Sequence, residues 1–180
     1  MEKKILVIEG SPRVGGNTDL LSDEFIKGAK ENGNIVEKIY LQKKKINYCV
    51  DCEMCRKNGG KCVQKDDFQE VCDKIIEADV LVIVSPVYYY SVSAQMKTLI
   101  DRTYSALEHI SNKECFFITA GAGDDEKYFK TIIDTYYGFI NCFPNMKDAG
   151  IVLGIGAQEK GSIKENKAMK EAYELGKTIK

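Results

Sequence analysis

Little in this 180-residue chain points to hydrolysis, to nucleic acid or to a membrane. It has a single histidine, His109, in a polar stretch after a helical segment, and no Ser-His-Asp arrangement or carboxylate pair to work with it. His109 therefore reads as a surface residue and no catalytic acid or base is assigned. The formal net charge is -1, from 26 Lys plus Arg against 27 Asp plus Glu. No field of one sign is available to attract nucleic acid or a charged membrane surface, and Lys43-Lys44-Lys45 reads as a solvated loop. No stretch approaches the roughly 18 consecutive apolar residues of a spanning helix. The start, Met1-Glu2-Lys3-Lys4, lacks the pattern of a signal peptide, so a cytoplasmic location is expected. There the seven cysteines would stay reduced, and clustered thiols suggest metal or redox chemistry rather than structural disulfides. Pro-rich linkers and internal repeats are also missing, so one domain is expected over residues 1–180.

What is present has the balance of a folded globular chain, with 44% hydrophobic and 29% charged residues. "KKILVIEGS" is a continuous apolar run stopped by Gly10, the pattern of a strand buried on both faces. "VLVIVSPVYY" from Val80, "KECFFITAGAG" from Lys113 and "AGIVLGIGA" from Ala149 share that character. "NIVEKIYL" around Val36 alternates and reads as an edge strand. Between these runs lie helical stripes. Leu21, Phe25 and Ala29 follow Asn17-Thr18; Phe68, Val71, Cys72, Ile75 and Ile76 follow a predicted capping box of Asp67 and Glu70; Met96, Leu99, Ile100, Thr103 and Leu107 begin near Ser93. A fourth helix is predicted over about 126–142 and a last one from Ser162, with Glu165 completing a second capping box. Strand and helix thus alternate five times, which predicts an α/β fold: a three-layer sandwich with a five-stranded parallel sheet and helices on both faces. The flavodoxin-like order 2-1-3-4-5 fits five strands better than the six-stranded dinucleotide fold.

Ligands of such sheets bind beyond the carboxyl ends of the strands, where the strand order reverses. Strand 1 ends in "GSPRVGGNTDLL". Gly10, Gly15 and Gly16 permit tight turns and close backbone approach, Ser11 and Thr18 offer hydroxyls, Asn17 an amide and Arg13 a bidentate cation. The helix that follows directs its N-terminus at the same place. Neither G-x-G-x-x-G nor G-K-[ST] occurs here, so the loop suits a terminal monophosphate such as that of FMN. The plainer reading is an ordinary turn with a helix cap.

"GSPRVGGNT", "SPVYYYSVSAQMKTLIDR" and "CVDCEMCRKNGGKCVQKDD" together resemble the signatures of flavodoxin-like NAD(P)H-dependent FMN reductases, in particular the iron-sulfur flavoprotein branch. The resemblance covers residues 1–105; the last third matches only in layout. It implies that Ser11, Arg13, Gly16, Asn17 and Thr18 hold the FMN phosphate. It implies too that Pro86, Val87, Tyr88 and Tyr89 lie along the ribityl chain and ring, and that Thr119, Ala120 and Gly121 form a third wall. Backbone N–H groups and an aromatic face are suited to that task. The plain reading of Tyr88-Tyr89-Tyr90 is aromatic filling at a strand end, and Asp101-Arg102 reads as a salt-bridged structural pair.

The long connection at about 42–65 carries Cys49, Cys52, Cys55 and Cys62. C-x2-C-x2-C resembles the first three ligands of a bacterial [4Fe-4S] run, although the fourth cysteine comes after a longer gap and no proline follows it. Zinc more often uses two separated C-x2-C knuckles. Cluster, free thiols and zinc all stay open on spacing; the resemblance implies that all four cysteines bind one cluster. Cys72, Cys115 and Cys142 read as packing residues. The expected function is an FMN-dependent oxidoreductase whose flavin exchanges electrons with a [4Fe-4S] cluster. The alternatives are a cluster-free NAD(P)H-dependent FMN or quinone reductase and a thiol or zinc redox-sensing module. Expected partners are NAD(P)H or another small-molecule electron donor or acceptor, or a redox protein such as ferredoxin, with no nucleic acid or membrane. The resemblance also implies a homodimer or homotetramer.

Overall fold

The first apolar run folds as β1, Lys4–Glu9, in which Ile5 to Glu9 are all buried. Successive strand residues point to opposite faces, so burial of every one means that both faces are covered. The computed structural model describes residues 2–180 and supplies that cover from helices. β2 (Ile35–Tyr40), β3 (Val80–Pro86), β4 (Glu114–Ala120) and β5 (Lys147–Gly154) complete a five-stranded sheet. Its order is β2-β1-β3-β4-β5, and every neighbouring pair is parallel. β2 is the half-exposed edge, as its alternation predicts. β5 starts two residues earlier than the apolar run suggests, and a register shift between Cys115 and Phe116 lets Gly150 join the ladder.

The helices are α1 (Asn17–Glu31), α2 (Met54–Lys57), α3 (Phe68–Glu77), α4 (Ala94–Arg102), α5 (Lys130–Ile140) and α6 (Ala168–Gly176); all but α2, a single turn within the cysteine loop, cover the sheet. On one face Ile5, Val7, Val82 and Val84 pack against Leu21, Phe25 and Ala29 of α1 and Ala168 and Ala172 of α6. On the other, Leu6, Ile8, Leu81, Ile83 and Phe117 pack against α3, α4 and α5 through Phe68, Val71, Met96, Leu99 and Ile132. Fully burying one such side chain contributes about 1.5–3 kcal/mol, so each face is a core in its own right. α1 and α6 approach without side chains between them: a Cβ on Gly28 would stand 2.1 Å from the Tyr173 carbonyl oxygen, and one on Gly176 2.1 Å from that of Phe25.

Neither predicted capping box forms. Asp67 gives α3 no side-chain cap because its carboxylate accepts the Lys45 N–H instead; Asp66 takes the Phe68 N–H at 3.1 Å, and Glu70 pairs with Lys44. At the other end, Ser162–Glu165 is a short 3-10 turn. α6 starts later, where Asn166 Oδ1 accepts the Ala168 N–H at 2.9 Å. Ser93 does cap α4, accepting the Met96 N–H. The fourth predicted helix divides into a 3-10 turn at Glu126–Phe129 and α5, and Cys142 beyond it is exposed rather than packed. No helix among the described residues is long and apolar enough to cross a membrane.

Candidate functional site

Four loops at the carboxyl ends of the strands close around one cleft of about 210 Å³. The loop after β1 contributes Ser11, Arg13, Gly16, Asn17 and Thr18; the loop after β3 contributes Pro86, Val87 and Tyr88; the loop after β4 contributes Ala120, Gly121 and Ala122. All of these but Ala122 are positions where the sequence puts the FMN site. Two others stand apart from the lining: Thr119 is wholly buried in β4 with its hydroxyl unpartnered, and Tyr89 is fully exposed at the tip of its turn. The fourth wall, Ala157, Gln158 and Lys160 from the loop after β5, carries no motif that sequence reasoning could detect.

The β1 loop has the form of an anion cradle. The Gly16 N–H returns to the Arg13 carbonyl at 2.9 Å, and a Cβ on Gly16 would stand 2.8 Å from that same oxygen. Gly15 takes a φ of +70°, which glycine adopts without steric cost. Gly16 is the N-cap of α1 and no side chain caps the helix, so the first-turn N–H groups face the cleft with the positive end of the helix dipole. Arg13 and Lys160 add two cations to the lining. Asn17 has a different part from the one its motif suggests. Its Nδ2 donates to the carbonyls of Ala157 (3.2 Å) and Glu159 (2.9 Å), and its Oδ1 accepts the Gly161 N–H at 2.8 Å. It fastens the β5 loop, with Lys160, against the cradle. Thr18 also points inward and donates to Glu9 at 3.0 Å. A phosphate group fits this cradle.

The β3 wall is strained. Tyr88 and Ser91 exchange both backbone hydrogen bonds, at 2.9 and 3.0 Å, and the residues between them, Tyr89 and Tyr90, sit at φ +47° and +65°. Non-glycine residues pay about 1–2 kcal/mol each for left-handed backbone. Tyr88, Tyr89 and Tyr90 are all exposed, so none of the three fills the core. The N–H groups of Val87 and Tyr88 are committed to Ala120 and Ser91. Pro86 has no N–H, so within this turn the backbone donors left uncommitted are those of Tyr89 and Tyr90.

The four loop cysteines are brought together elsewhere. Leaving β2, the chain runs along α4 to its C-terminal end, where Cys49, Cys52, Cys55 and Cys62 line one small pocket with Arg102, Tyr104 and Ser105. Asp51 and Glu53, between the first three, take φ of +50° and +54°, which re-aims the backbone at each step. Arg56 Nε donates to the Tyr104 hydroxyl at 2.6 Å, and the Gly59 carbonyl lies 3.2 Å from His109 Nε2. Arg102 does not pair with Asp101, which binds Lys97 instead. Its guanidinium donates to Asp66 from Nη1 (2.7 Å) and Nη2 (3.0 Å) and to the Asn47 carbonyl at 2.7 Å. Burial pushes the Asp66 carboxyl up, but the Arg102 bonds and the Asn47 and Phe68 N–H groups outweigh it and hold it below its ordinary value. Arg102 Nε remains buried and unpartnered, and Arg102 is one of the residues lining the thiol pocket.

Among the described residues no three Cys, His, Asp or Glu side chains are grouped as around a single metal ion. A zinc ion would draw its sulfurs to about 3.8 Å of one another, from a Zn–S bond near 2.3 Å; a cubane of four irons is wider and holds its ligands further apart. Four thiols lining one pocket are a donor set of the chemistry that a cluster or zinc would use. The two buried thiols are inert: burial pushes both Cys72 and Cys115 up to about 12.

The two sites occupy opposite ends of α4. Tyr88 and the turn before Ser93 stand at its N-terminus, and the thiol pocket stands at its C-terminus, on the order of 13 Å away at 1.5 Å per residue.

Residues 3–127 match the family model described as NADPH-dependent FMN reductase. An iron-sulfur flavoprotein of Archaeoglobus fulgidus is 46% identical over 99 residues, 55% of this chain and 44% of that one. The chain spans about half the length of the curated iron-sulfur flavoproteins it matches. YwqN of Bacillus subtilis, provisionally named an NAD(P)H-dependent FMN-containing oxidoreductase, is 30% identical over 96% of both chains. Among solved structures, an FMN-dependent NADH-azoreductase of Bacillus anthracis superposes with a TM-score of 0.76 over 99% of both chains at 18% identity, which is a likeness of fold.

Proposed function

The chain belongs to the NADPH-dependent FMN reductase family of oxidoreductases, and from that premise we propose that its flavin exchanges electrons with a [4Fe-4S] cluster held by Cys49, Cys52, Cys55 and Cys62. The observation that carries this reading is the shared pocket: four thiols line one void together with Arg102, whose Nε is buried without a partner. When bound, FMN and the cluster supply hydride and one-electron chemistry. The protein's own part is to bind, orient and insulate. Arg13, Lys160 and the first turn of α1 hold the phosphate, Asn17 keeps Lys160 in place, and the Tyr88–Ser91 turn walls one side of the ring. Arg102 faces the sulfurs from the core side of the thiol pocket. Proposed partners are NAD(P)H or a reduced redox protein such as ferredoxin as donor and a small-molecule acceptor. The proposed setting is the cytoplasm, with a homo-oligomer as the working unit.

The test is anaerobic purification followed by iron, sulfide and flavin analysis. About four irons and four sulfides per flavin are expected, with a broad visible absorption that bleaches on reduction; Cys52→Ser should lose the iron and keep the flavin. A second reading, a cluster-free NAD(P)H-dependent FMN or quinone reductase, is favoured by the full-length likeness to the NAD(P)H-dependent FMN-containing oxidoreductase of Bacillus subtilis. Flavin without iron, even after reconstitution, would select it.

A further inference from the structure

Behind the phosphate cradle lies an acid that an anion site does not call for. Glu9, the last residue of β1, is fully buried beneath α1. Its Oε1 accepts the Ser11 N–H at 2.8 Å and the Thr18 hydroxyl at 3.0 Å. Its Oε2 stands 3.4 Å from Ser22 Oγ. A hydroxyl has one proton to donate and two lone pairs, and the Ser22 proton has a closer acceptor in the Asp19 carbonyl, at 2.9 Å. Across the Oε2···Oγ contact Ser22 is thus left to accept. Two donors on Oε1 and an acceptor opposite Oε2 describe a carboxylic acid, with its proton on Oε2.

The surrounding charges agree. From β2, Lys38 faces this group, but it bridges Asp19 and Asp23 of α1, and Tyr40 is the residue paired with Glu9 in register. Asp19 is held ionised: burial pushes it up, but the Lys38 bond and the Gly15 N–H outweigh that. From β3 the neighbours Val84 and Ser85 bring no titratable group. On the cleft side Arg13 and Lys160 carry two positive charges, which a phosphate dianion uses in full. An ionised Glu9 would add a negative charge with no cation left to face it, one hydrogen bond behind the Ser11 and Thr18 wall.

We propose that Glu9 determines FMN retention through its own protonation: the neutral acid accommodates the flavin phosphate, and ionisation of Glu9 weakens its hold. Burial already pushes Glu9 up to about 7, and an adjacent dianion raises a carboxylic acid further. The sign follows. Below pH 7 the acid is neutral before FMN arrives and affinity is independent of Glu9. Above it, binding must draw a proton from solvent, and affinity falls up to tenfold per pH unit.

This inference rests on the FMN reading of the cleft. FMN is titrated calorimetrically into flavin-free protein at pH 7.5 in two buffers of different ionisation enthalpy, and Kd is followed from pH 6 to 8. The wild type should take up between about a half and one proton per flavin and bind roughly tenfold more weakly at pH 8 than at pH 6. Glu9→Gln keeps the shape and a donor toward Ser22 but cannot ionise, so its enthalpy should not depend on buffer and its Kd should stay flat relative to the wild type. Ionisation of the FMN phosphate is common to both proteins and cancels in that ratio. Buffer-independent binding by the wild type, or an unchanged pH slope in Glu9→Gln, overturns the proposal; the wild-type measurement decides alone if the variant does not fold. Absence of FMN binding at pH 6 removes the flavin reading itself, and the proposal with it.

Discussion

Asp66→Asn tests whether the thiol loop is fastened by a buried charge pair. The Asp66 carboxylate accepts four donors: Arg102 Nη1 at 2.7 Å, Arg102 Nη2 at 3.0 Å, and the N–H groups of Asn47 at 2.9 Å and Phe68 at 3.1 Å. Its side chain is 4% exposed and that of Arg102 1%, so water does not replace what is lost. Asparagine has the same shape but one accepting oxygen, and its amide would meet at least two of the four donors head on. Removing one partner of a buried ion pair costs about 3–5 kcal/mol, because the other charge stays buried without compensation. For a domain of this size that lowers Tm by about 6–20 °C. Asp66 is held below its ordinary carboxylate range, so its contribution is complete above the unfolded value near 4 and is lost as pH falls through the folded value. The variant should therefore be less stable than wild type by a constant amount from pH 5 to 8, and the gap should begin to narrow below about pH 4, by no more than about 1.4 kcal/mol per pH unit. Urea denaturation followed by far-UV circular dichroism at pH 7 and pH 3 reads both quantities. A difference under about 1 kcal/mol at pH 7, or a gap no smaller at pH 3 than at pH 7, would refute the reasoning.

Arg13→Ala removes one of two cations from the cradle and a charge-assisted hydrogen bond of about 1.5–3 kcal/mol; FMN affinity, read by quenching of flavin fluorescence, should fall roughly 10–100-fold with Tm of the flavin-free protein unchanged. Gly28→Ala places a methyl 2.1 Å from the Tyr173 carbonyl oxygen, so α1 and α6 must separate, at a cost of about 3 kcal/mol visible as a lower urea midpoint. Tyr90→Gly relieves a φ of +65° and should stabilise the flavin-free protein by about 1 kcal/mol. If the strain is retained because the aromatic turn serves the flavin, the same variant should bind FMN more weakly, and a variant that gains both stability and affinity would exclude that explanation.

The sheet was legible because parallel strands buried on both faces leave apolar runs that nothing else in the chain imitates, and their alternation with helices restricts the order. The glycine cradle was legible for a similar reason: its constraint is local, on the backbone of a few consecutive residues. What escaped depends on partners far along the chain. Lys160 reaches the cleft because Asn17, 143 residues earlier in sequence, binds the loop that carries it. Asp101-Arg102 looks like a pair in sequence, yet neighbours on a helix point about 100° apart, and each finds a different partner. The capping pattern at Asp67 and Glu70 fails because the Asp67 carboxylate is drawn to the Lys45 N–H, 22 residues earlier, while Asp66, one position before it, takes the Phe68 N–H. Glu9 gives no signal at all, since an acid at the end of an apolar run looks like a strand reaching solvent.

The two sites are built on different physical principles, and that makes the competing functions separable. The cleft is made largely of backbone: the Gly16 turn, the open first turn of α1 and the ends of three strands, all of them consequences of the fold. The thiol pocket is made by a loop whose ends, Asn47 and Asp66, converge on one guanidinium, and whose backbone is turned at Asp51 and Glu53 into conformations that cost energy. A fold that needed only to bind flavin would have no use for that strain or for a buried arginine with an unpartnered Nε. Both are explained if the loop holds its thiols ready for a group that neutralises the sulfurs and accepts the Arg102 N–H. Because the loop is fastened to α3 and α4 rather than to the cradle, loss of a thiol should empty the pocket at one end of α4 and leave the cleft at the other end unchanged.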